Sequence, residues 1–344
     1  MLTPRNLALL LTLPLIAIVL ALQMGQVRAP VLSRWGLGAP SQAPTAGLVG
    51  QADPLEGQAL PVVLGLEAFN GQSTLIDSAA DGAVQLFRRA LPGGGTLAYL
   101  VVHIAPTIRV AVVSADGAAP ASDAAGDTVW ADGGHHLATV AQIAAAPYAM
   151  RDGMELVYAM AFGFHGDQRT SDEGSVVVDG TIYRVNPGRS AFCITPDRRA
   201  AIGVFHATDL AGCVQAAGAG PIILWQGRVV SLAASQPSAA FLPFNPLGEN
   251  FVQLDWRKQV YAGRYPKTAI GVGELPGDAS FLVLATAEGA LGEDIARALR
   301  EMGCSDALGG DDDSSTQAVW RGQPLWPRPG RPVPDAVAVY VAAS

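Results

Sequence analysis

The stretch at 175–185, S-V-V-V-D-G-T-I-Y-R-V, restricts the fold more than any other. Two β-branched runs flank Asp179-Gly180, and an Asp-Gly pair supplies the left-handed backbone that a two-residue hairpin turn needs. The pattern then repeats. F-C-I-T-P-D-R-R-A-A-I-G-V-F reads as a second hairpin turning at Pro196-Asp197, and I-I-L-W-Q-G-R-V-V-S-L as a third turning at Gln226-Gly227. T-A-I-G-V-G and F-L-V-L-A-T form a fourth pair, and A-V-A-V-Y-V-A closes the chain. Upstream, Leu97 to Val102 and Arg109 to Ser114 read as a strand pair, and Leu137 to Ala146 as a short Ala-rich helix. Local hairpins on this scale imply mainly antiparallel sheets with a few packed helices, an α+β fold.

One helix has a clear signature. Leu291, Ile295, Leu299 and Met302 recur with helical spacing, Glu293 and Asp294 sit in its first turn, Arg297 and Arg300 near its end, and Gly303 is a natural stop. Directly after it comes D-A-L-G-G-D-D-D-S-S-T at 306–316, three carboxylates between two glycines and three hydroxyl residues. A rigidly held loop of this kind suits acid–base work or a hard divalent cation. A solvated acidic turn would look the same, and the residues alone leave both readings open.

The N-terminus sets the expected compartment. Arg5 precedes the apolar run Leu7 to Leu22, which reads as residues 1–29 forming a secretory signal or an uncleaved membrane anchor. Residues 30–60, rich in Ala, Pro, Gly and Gln, read as a linker, and 61–344 as the functional domain. Either reading of the apolar run places that domain outside the cytoplasm, with membrane attachment if the run is kept. The net charge of −8, without a basic run, excludes a nucleic-acid partner. No phosphate-cradling glycine motif follows a strand, and no Ser nucleophile elbow is present. Cys193 and Cys213 lie in apolar surroundings, A-F-C-I-T and L-A-G-C-V, and read as buried thiols rather than a bridge. Gly133-Gly134-His135-His136 reads as a turn, and His103 and His206 as structural.

From about Leu97 onward the chain resembles the phosphodiester glycosidase domain family. Four stretches carry the likeness: L-V-Y-A-M-A-F-G-F-H-G-D with E-G-S-V-V-V-D-G-T after it, A-A-G-A-G-P-I-I-L-W-Q-G-R-V-V, Y-P-K-T-A-I-G-V, and M-G-C-S-D-A-L-G-G-D-D-D-S-S-T. The resemblance implies an exported hydrolase that cleaves a sugar-1-phosphodiester between the anomeric carbon and the phosphate oxygen, in envelope or exopolysaccharide metabolism. Its substrate would be a sugar phosphate or polysaccharide, with no certain cofactor and a divalent cation as an option. Asp311 matches the family's Asp and Ser315 its Ser. Ala161 stands where the family has Asn, Phe162 where it has Gly, Lys267 where it has Arg, and Asp312 and Asp313 where it has two Gly.

On that basis Asp311 is the candidate acid or base, and His165 a candidate proton donor. Lys267 and Thr268 would contact phosphate, with Ser315 and Thr316 as hydrogen-bond donors. Gly163, Gly218 and Gly220 mark places where backbone approaches the ligand. Asp312 and Asp313 are the candidate metal ligands. Two function classes follow: the hydrolase, and a non-catalytic carbohydrate- or envelope-polymer-binding module on the same fold.

Overall fold

The computed structural model describes residues 62–115, 137–145, 150–163, 174–229, 246–249, 263–275 and 279–343. The apolar run at 7–22, the linker, the Gly133 to His136 turn and His165 lie outside the described residues. All described residues belong to one compact unit, Ala52–Ser344.

Helix α1 (Val62–Gly71) leads into β1 (Thr74–Ala79), β2 (Val84–Ala90) and β3 (Thr96–His103). The chain continues through β4 (Ile108–Ser114), α2 (Val140–Ala145), β5 (Met150–Arg151) and β6 (Met154–Met160). Then follow β7 (Val176–Val178), β8 (Thr181–Arg184), β9 (Ser190–Ile194), β10 (Ala200–Val204), the single-turn α3 (Ala207–Leu210) and β11 (Gln215–Gly218). Strands β12 (Ile222–Trp225), β13 (Arg228–Val229), β14 (Lys267–Glu274) and β15 (Ser280–Glu288) precede α4 (Gly292–Glu301). Strands β16 (Asp306–Gly309), β17 (Ala318–Trp320), β18 (Gln323–Pro324) and β19 (Asp335–Ala342) follow it.

These strands form three sheets, of order β1-β2-β3-β15-β14-β16-β12-β13, β10-β9-β11-β7-β8 and β18-β17-β6-β19-β4, with β5 paired to β6. The pairings between named strands are antiparallel, as the hairpin chemistry requires. Asp179 and Gly180 have φ of 51° and 78°, Gln226 and Gly227 of 50° and 77°. Both turns thus place two successive residues in the left-handed region, the twist that matches paired strands.

Side-chain alternation assigns each strand face to a core. In β15, Leu282 and Leu284 enter a central core, while Phe281, Val283 and Ala285 face a second one closed by Ile295, Leu299 and Met302 of α4. In β19, Val337, Val339 and Val341 enter the same central core, while Ala336, Ala338 and Tyr340 face a third core under Val140 and Ile143 of α2. The central core also takes Val176, Phe192 and Ile194 from the second sheet. All three sheets therefore bury one face together, each large side chain contributing about 1.5–3 kcal/mol. The α4 pattern matches its sequence signature, except that Met302 is the residue after the helix and Leu291 the one before it. Its N–H donates to the Asp294 carboxylate at 3.2 Å.

Two expectations are corrected. Strands β3 and β4 do not pair with each other: β3 lies between β2 and β15, and β4 pairs with β19. The Ala105-Pro106 break carries the chain from the first sheet to the third, and both strands have buried neighbours on either face. Nor are Cys193 and Cys213 thiols. They form a disulfide with Cα atoms 5.6 Å apart. The cause is the turn that leads from α3 into β11, where the Cys213 N–H bonds to the Leu210 carbonyl at 3.0 Å. β11 runs antiparallel to β9, Cys193 lies opposite Ala216, and the Val214 N–H bonds to the Ile194 carbonyl at 2.7 Å. That brings the residue before Val214 beside Cys193. Cys304 is the free, buried cysteine.

Candidate functional site

The acidic loop begins where β16 leaves its ladder. Gly309 is the last paired residue, opposite Ala269. The Gly310 N–H still reaches the Thr268 carbonyl at 2.9 Å, and the Asp311 N–H then reaches the Phe162 carbonyl at 2.8 Å. Thr268 belongs to the first sheet and Phe162 follows β6 of the third, so this step ties the two sheets together. Gly310 is needed for it: a Cβ there would sit 2.3 Å from Thr268 Oγ1 and 2.6 Å from Phe162 Cδ2. Thr268 Oγ1 also donates to the Asp311 carbonyl at 2.8 Å.

The next residues close into a short 3-10 turn, Asp313–Ser315. The Asp312 N–H donates to Asp311 Oδ1 at 2.9 Å, and the Asp313 N–H to the Pro266 carbonyl at 2.8 Å. Asp313 takes φ of 57°, a left-handed conformation that Asp tolerates better than most residues. Asp311, Asp312, Ser315 and Thr316 are all buried, so the loop is no solvated turn.

Two arginines hold the loop from the far side, both on Pro327-Arg328-Pro329-Gly330-Arg331-Pro332. Arg328 donates to the carbonyls of Asp313 at 2.9 Å and Thr316 at 2.6 Å, and to Glu288 Oε1 at 2.5 Å. Arg331 donates from Nε to Ser315 Oγ at 2.5 Å and from Nη2 to Asp311 Oδ2 at 3.4 Å. Its own N–H bonds the Ser314 carbonyl at 2.9 Å. Sequence reasoning missed both residues. The available signal was the spacing of three prolines around them, since each proline fixes φ and stiffens the segment that presents the guanidinium groups.

Lys267, first residue of β14, is 1% exposed. Its Nζ has no hydrogen-bond partner among the described residues and sits 5.3 Å from the centre of the Tyr265 ring. Burial lowers its pKa to about 8, against the pull of Asp312 and Asp313, which favour the charged form. The lysine therefore supplies positive charge to this end of the trio. Among the described residues no group of three or more His, Cys, Asp or Glu is arranged to hold a metal ion. An ammonium facing Asp312 and Asp313 also disfavours a second cation there.

The Thr316 hydroxyl is likewise buried without a hydrogen-bond partner among the described residues. Thr316 lines a cavity of about 200 Å³ together with Gln317, Trp326, Arg328 and Thr139. Gly163 is buried and follows Phe162 directly.

Gly218 and Gly220 lie on the other flank of β16, where the Gly220 N–H donates to the Gly309 carbonyl at 3.0 Å. A Cβ on Gly218 would stand 2.4 Å from the Ser175 nitrogen, and one on Gly220 2.6 Å from Glu249 Oε1. Glu249, also missed from sequence, accepts from the N–H groups of Ser190 at 2.9 Å and Ile222 at 2.8 Å and from the Ser190 hydroxyl. Burial pushes its pKa up, while these donors and the Arg189 charge oppose the rise. Both glycines thus allow close approach of protein to protein. His206 precedes α3, and its N–H donates to the Asp209 carboxylate at 2.9 Å. His103 ends β3, half-buried, with its pKa lowered by burial.

Known proteins resemble this arrangement. The phosphodiester glycosidase family pattern matches residues 154–340, from β6 to β19 and including the whole loop and Lys267. The zebrafish N-acetylglucosamine-1-phosphodiester alpha-N-acetylglucosaminidase catalytic domain, auto-inhibited by its pro-peptide, superposes with a TM-score of 0.50 at 16% identity. That match covers 79% of this chain and 87% of that one. A hypothetical protein from Synechocystis gives 0.50 at 16% identity over 75% of this chain. The chain spans 62% of that protein, less than two thirds of its length. At such identity these likenesses speak for the fold. No curated protein sequence matches.

Proposed function

Because this chain belongs to the phosphodiester glycosidase family, we propose that it is an extracytoplasmic hydrolase that cleaves a sugar-1-phosphodiester between the anomeric carbon and the phosphate oxygen. One observation carries the reading: Asp311 and Lys267 are built into the same junction of sheets, one through its backbone bond to Phe162, the other at the start of β14 beside Asp312 and Asp313. A phosphodiester brings an anion, for which Lys267 offers a desolvated point charge. Its hydrolysis needs a proton moved on the water oxygen that attacks, or the phosphate oxygen that leaves, the anomeric carbon, for which Asp311 offers a carboxyl group held at both ends. The Cys193–Cys213 bridge supports an oxidising compartment, as does the apolar run at 7–22. Envelope polysaccharide is the substrate source that this compartment favours.

A second reading, a non-catalytic carbohydrate-binding module, is favoured by Ala161 and Phe162. Both are fully buried where the family pattern places Asn and Gly, so neither offers a polar group to a substrate. Hydrolysis of a panel of aryl sugar-1-phosphodiesters separates the two. Under the hydrolase reading, wild type releases the aryl phosphate, and Asp311→Asn loses roughly 10²–10⁴-fold in kcat, the usual share of acid–base catalysis. Equal activity of wild type and Asp311→Asn rejects the role of Asp311. Binding of a sugar polymer without any turnover selects the module.

A further inference from the structure

We propose that the Tyr265 ring masks the ammonium of Lys267, that an oxyanion reaches this ammonium by displacing the ring, and that Tyr265 thereby sets the affinity of the site for its anion. The inference rests on the reading that Lys267 meets the phosphate, and adds what stands in the way. A lysine ammonium carries three donors. Among the described residues none accepts a hydrogen bond from Lys267 Nζ, which is closed off from solvent. Asp312 and Asp313 act on its charge without bonding to it. Its aromatic neighbour is Tyr265, whose ring centre lies 5.3 Å away, within the range at which a ring attracts a cation.

Burial divides the two residues. Lys267 is 1% exposed and Tyr265 37%, so the ring is the member of the pair that a ligand meets first. The ring also has a fitted seat. A Cβ on Gly263 would stand 1.9 Å from Tyr265 Cε2 and 2.3 Å from Cδ2, so the ring lies directly on the glycine backbone. Pro266 restricts the main chain of Tyr265 to extended conformations, and its own carbonyl accepts the Asp313 N–H at 2.8 Å. The backbone here is held to the acidic loop, which leaves the side-chain torsions of Tyr265 as the coordinates that can move. Exposed side chains change rotamer within nanoseconds. The exchange has a favourable direction. A cation–π contact satisfies none of the ammonium donors, whereas phosphate oxygens accept from them in charge-assisted hydrogen bonds. The ring is thus a weak competitor that a well-placed oxyanion replaces.

Titration calorimetry with inorganic phosphate tests this without turnover. Wild type, Tyr265→Phe, Tyr265→Ala and Gly263→Ala are compared, with Lys267→Met as control and Tm measured to establish that each is folded. Tyr265→Ala should bind phosphate roughly 2- to 30-fold more tightly than wild type, the factor that a lost cation–π competitor returns. Tyr265→Phe, which keeps the ring, should stay at the wild-type value. Gly263→Ala, which takes the seat from the ring, should move in the direction of Tyr265→Ala, and Lys267→Met should not bind. Unchanged or weaker binding by folded Tyr265→Ala overturns the proposal, as does phosphate binding that survives Lys267→Met or is absent from every folded protein. On an aryl sugar-1-phosphodiester, Tyr265→Ala should lower KM with kcat little changed, because the ring competes with ground state and transition state alike. A raised KM would make Tyr265 a platform for the substrate and overturn the mask. Absence of turnover beside the expected phosphate series would reject the hydrolase reading and leave the mask standing.

Discussion

Replacing both Cys193 and Cys213 with alanine should cost this protein a measurable share of its stability. The bridge closes a loop across a sequence separation of 20. Cross-linking a loop of that size restricts the unfolded chain by about 3 kcal/mol at 25 °C on the chain-entropy account. Both sulfur atoms are also buried, Cys193 at 3% and Cys213 at 2% exposure, so their removal leaves unfilled volume between β9 and β11. For a domain of this size each kcal/mol moves Tm by about 2–4 °C, which puts the expected fall at about 6–12 °C. A thiol count supplies the control. Unfolded without reductant, wild type should titrate one thiol, that of Cys304, and three after reduction. The double variant should titrate one under both conditions. Three thiols without reductant in protein recovered from the cell envelope, or an unchanged Tm in the double variant, would refute the reasoning and with it the argument for an oxidising compartment.

Lys267 makes the stability depend on pH in a defined direction. Its pKa falls from 10.5 to about 8 on folding, so between those values the unfolded chain binds more protons than the folded one, and stability rises with pH. Urea unfolding of wild type and Lys267→Met at pH 8 and pH 10 should show wild type gaining on the variant as pH rises; parallel changes would rule out the buried ammonium. Gly310→Ala should lower stability by about 1–3 kcal/mol, because its Cβ would meet Thr268 Oγ1 at 2.3 Å in a packed junction. An unchanged midpoint in chemical denaturation would mean that the loop is not anchored between the two sheets as described.

The hairpins were legible because their information is local. Asp179-Gly180 and Gln226-Gly227 specify a turn by their own backbone preferences, and the runs beside them can then only pair with each other. The α4 stripe was legible for the same reason. Sheet membership was not. Nothing within Leu97 to Val102 or Arg109 to Ser114 says that the chain changes sheets between them, since both runs are apolar on either face and would suit any buried position. The disulfide was illegible too, because Cys213 lies before β11 at the end of the α3 turn, and its approach to Cys193 depends on how that turn enters the β9–β11 ladder. The acidic loop could be read as a cluster, yet its burial depends on Arg328 and Arg331, which lie beyond an intervening strand and turn. Only the proline spacing around the two arginines hinted that they were held for a purpose. Glu249 had no sequence signal at all: a single Glu becomes informative once Ser190, Ile222 and Gly220 surround it.

The departures from the family pattern become intelligible once backbone and side chain are separated. At 162 the loop uses the carbonyl, which accepts from the Asp311 N–H at 2.8 Å. Any residue provides that carbonyl, so Phe can replace Gly there without loosening Asp311, and its ring packs edge-on against Phe192 with centroids 5.9 Å apart. Ala161 also uses its backbone, donating its N–H to the Gln317 carbonyl at 3.1 Å. The same logic does not extend to 267. There the side chain itself lies within the influence of Asp312 and Asp313, and lysine in place of arginine changes a planar five-donor group into a compact ammonium whose pKa burial lowers to about 8. At 310 a side chain is excluded by contact with Thr268 and Phe162. The junction that places Asp311 thus depends on main-chain bonds that survive these substitutions, while the charge presented beside it depends on a residue that has changed. Under the proposed hydrolase function, altered preference for the anion is therefore the more economical consequence of the departures than loss of the loop's architecture.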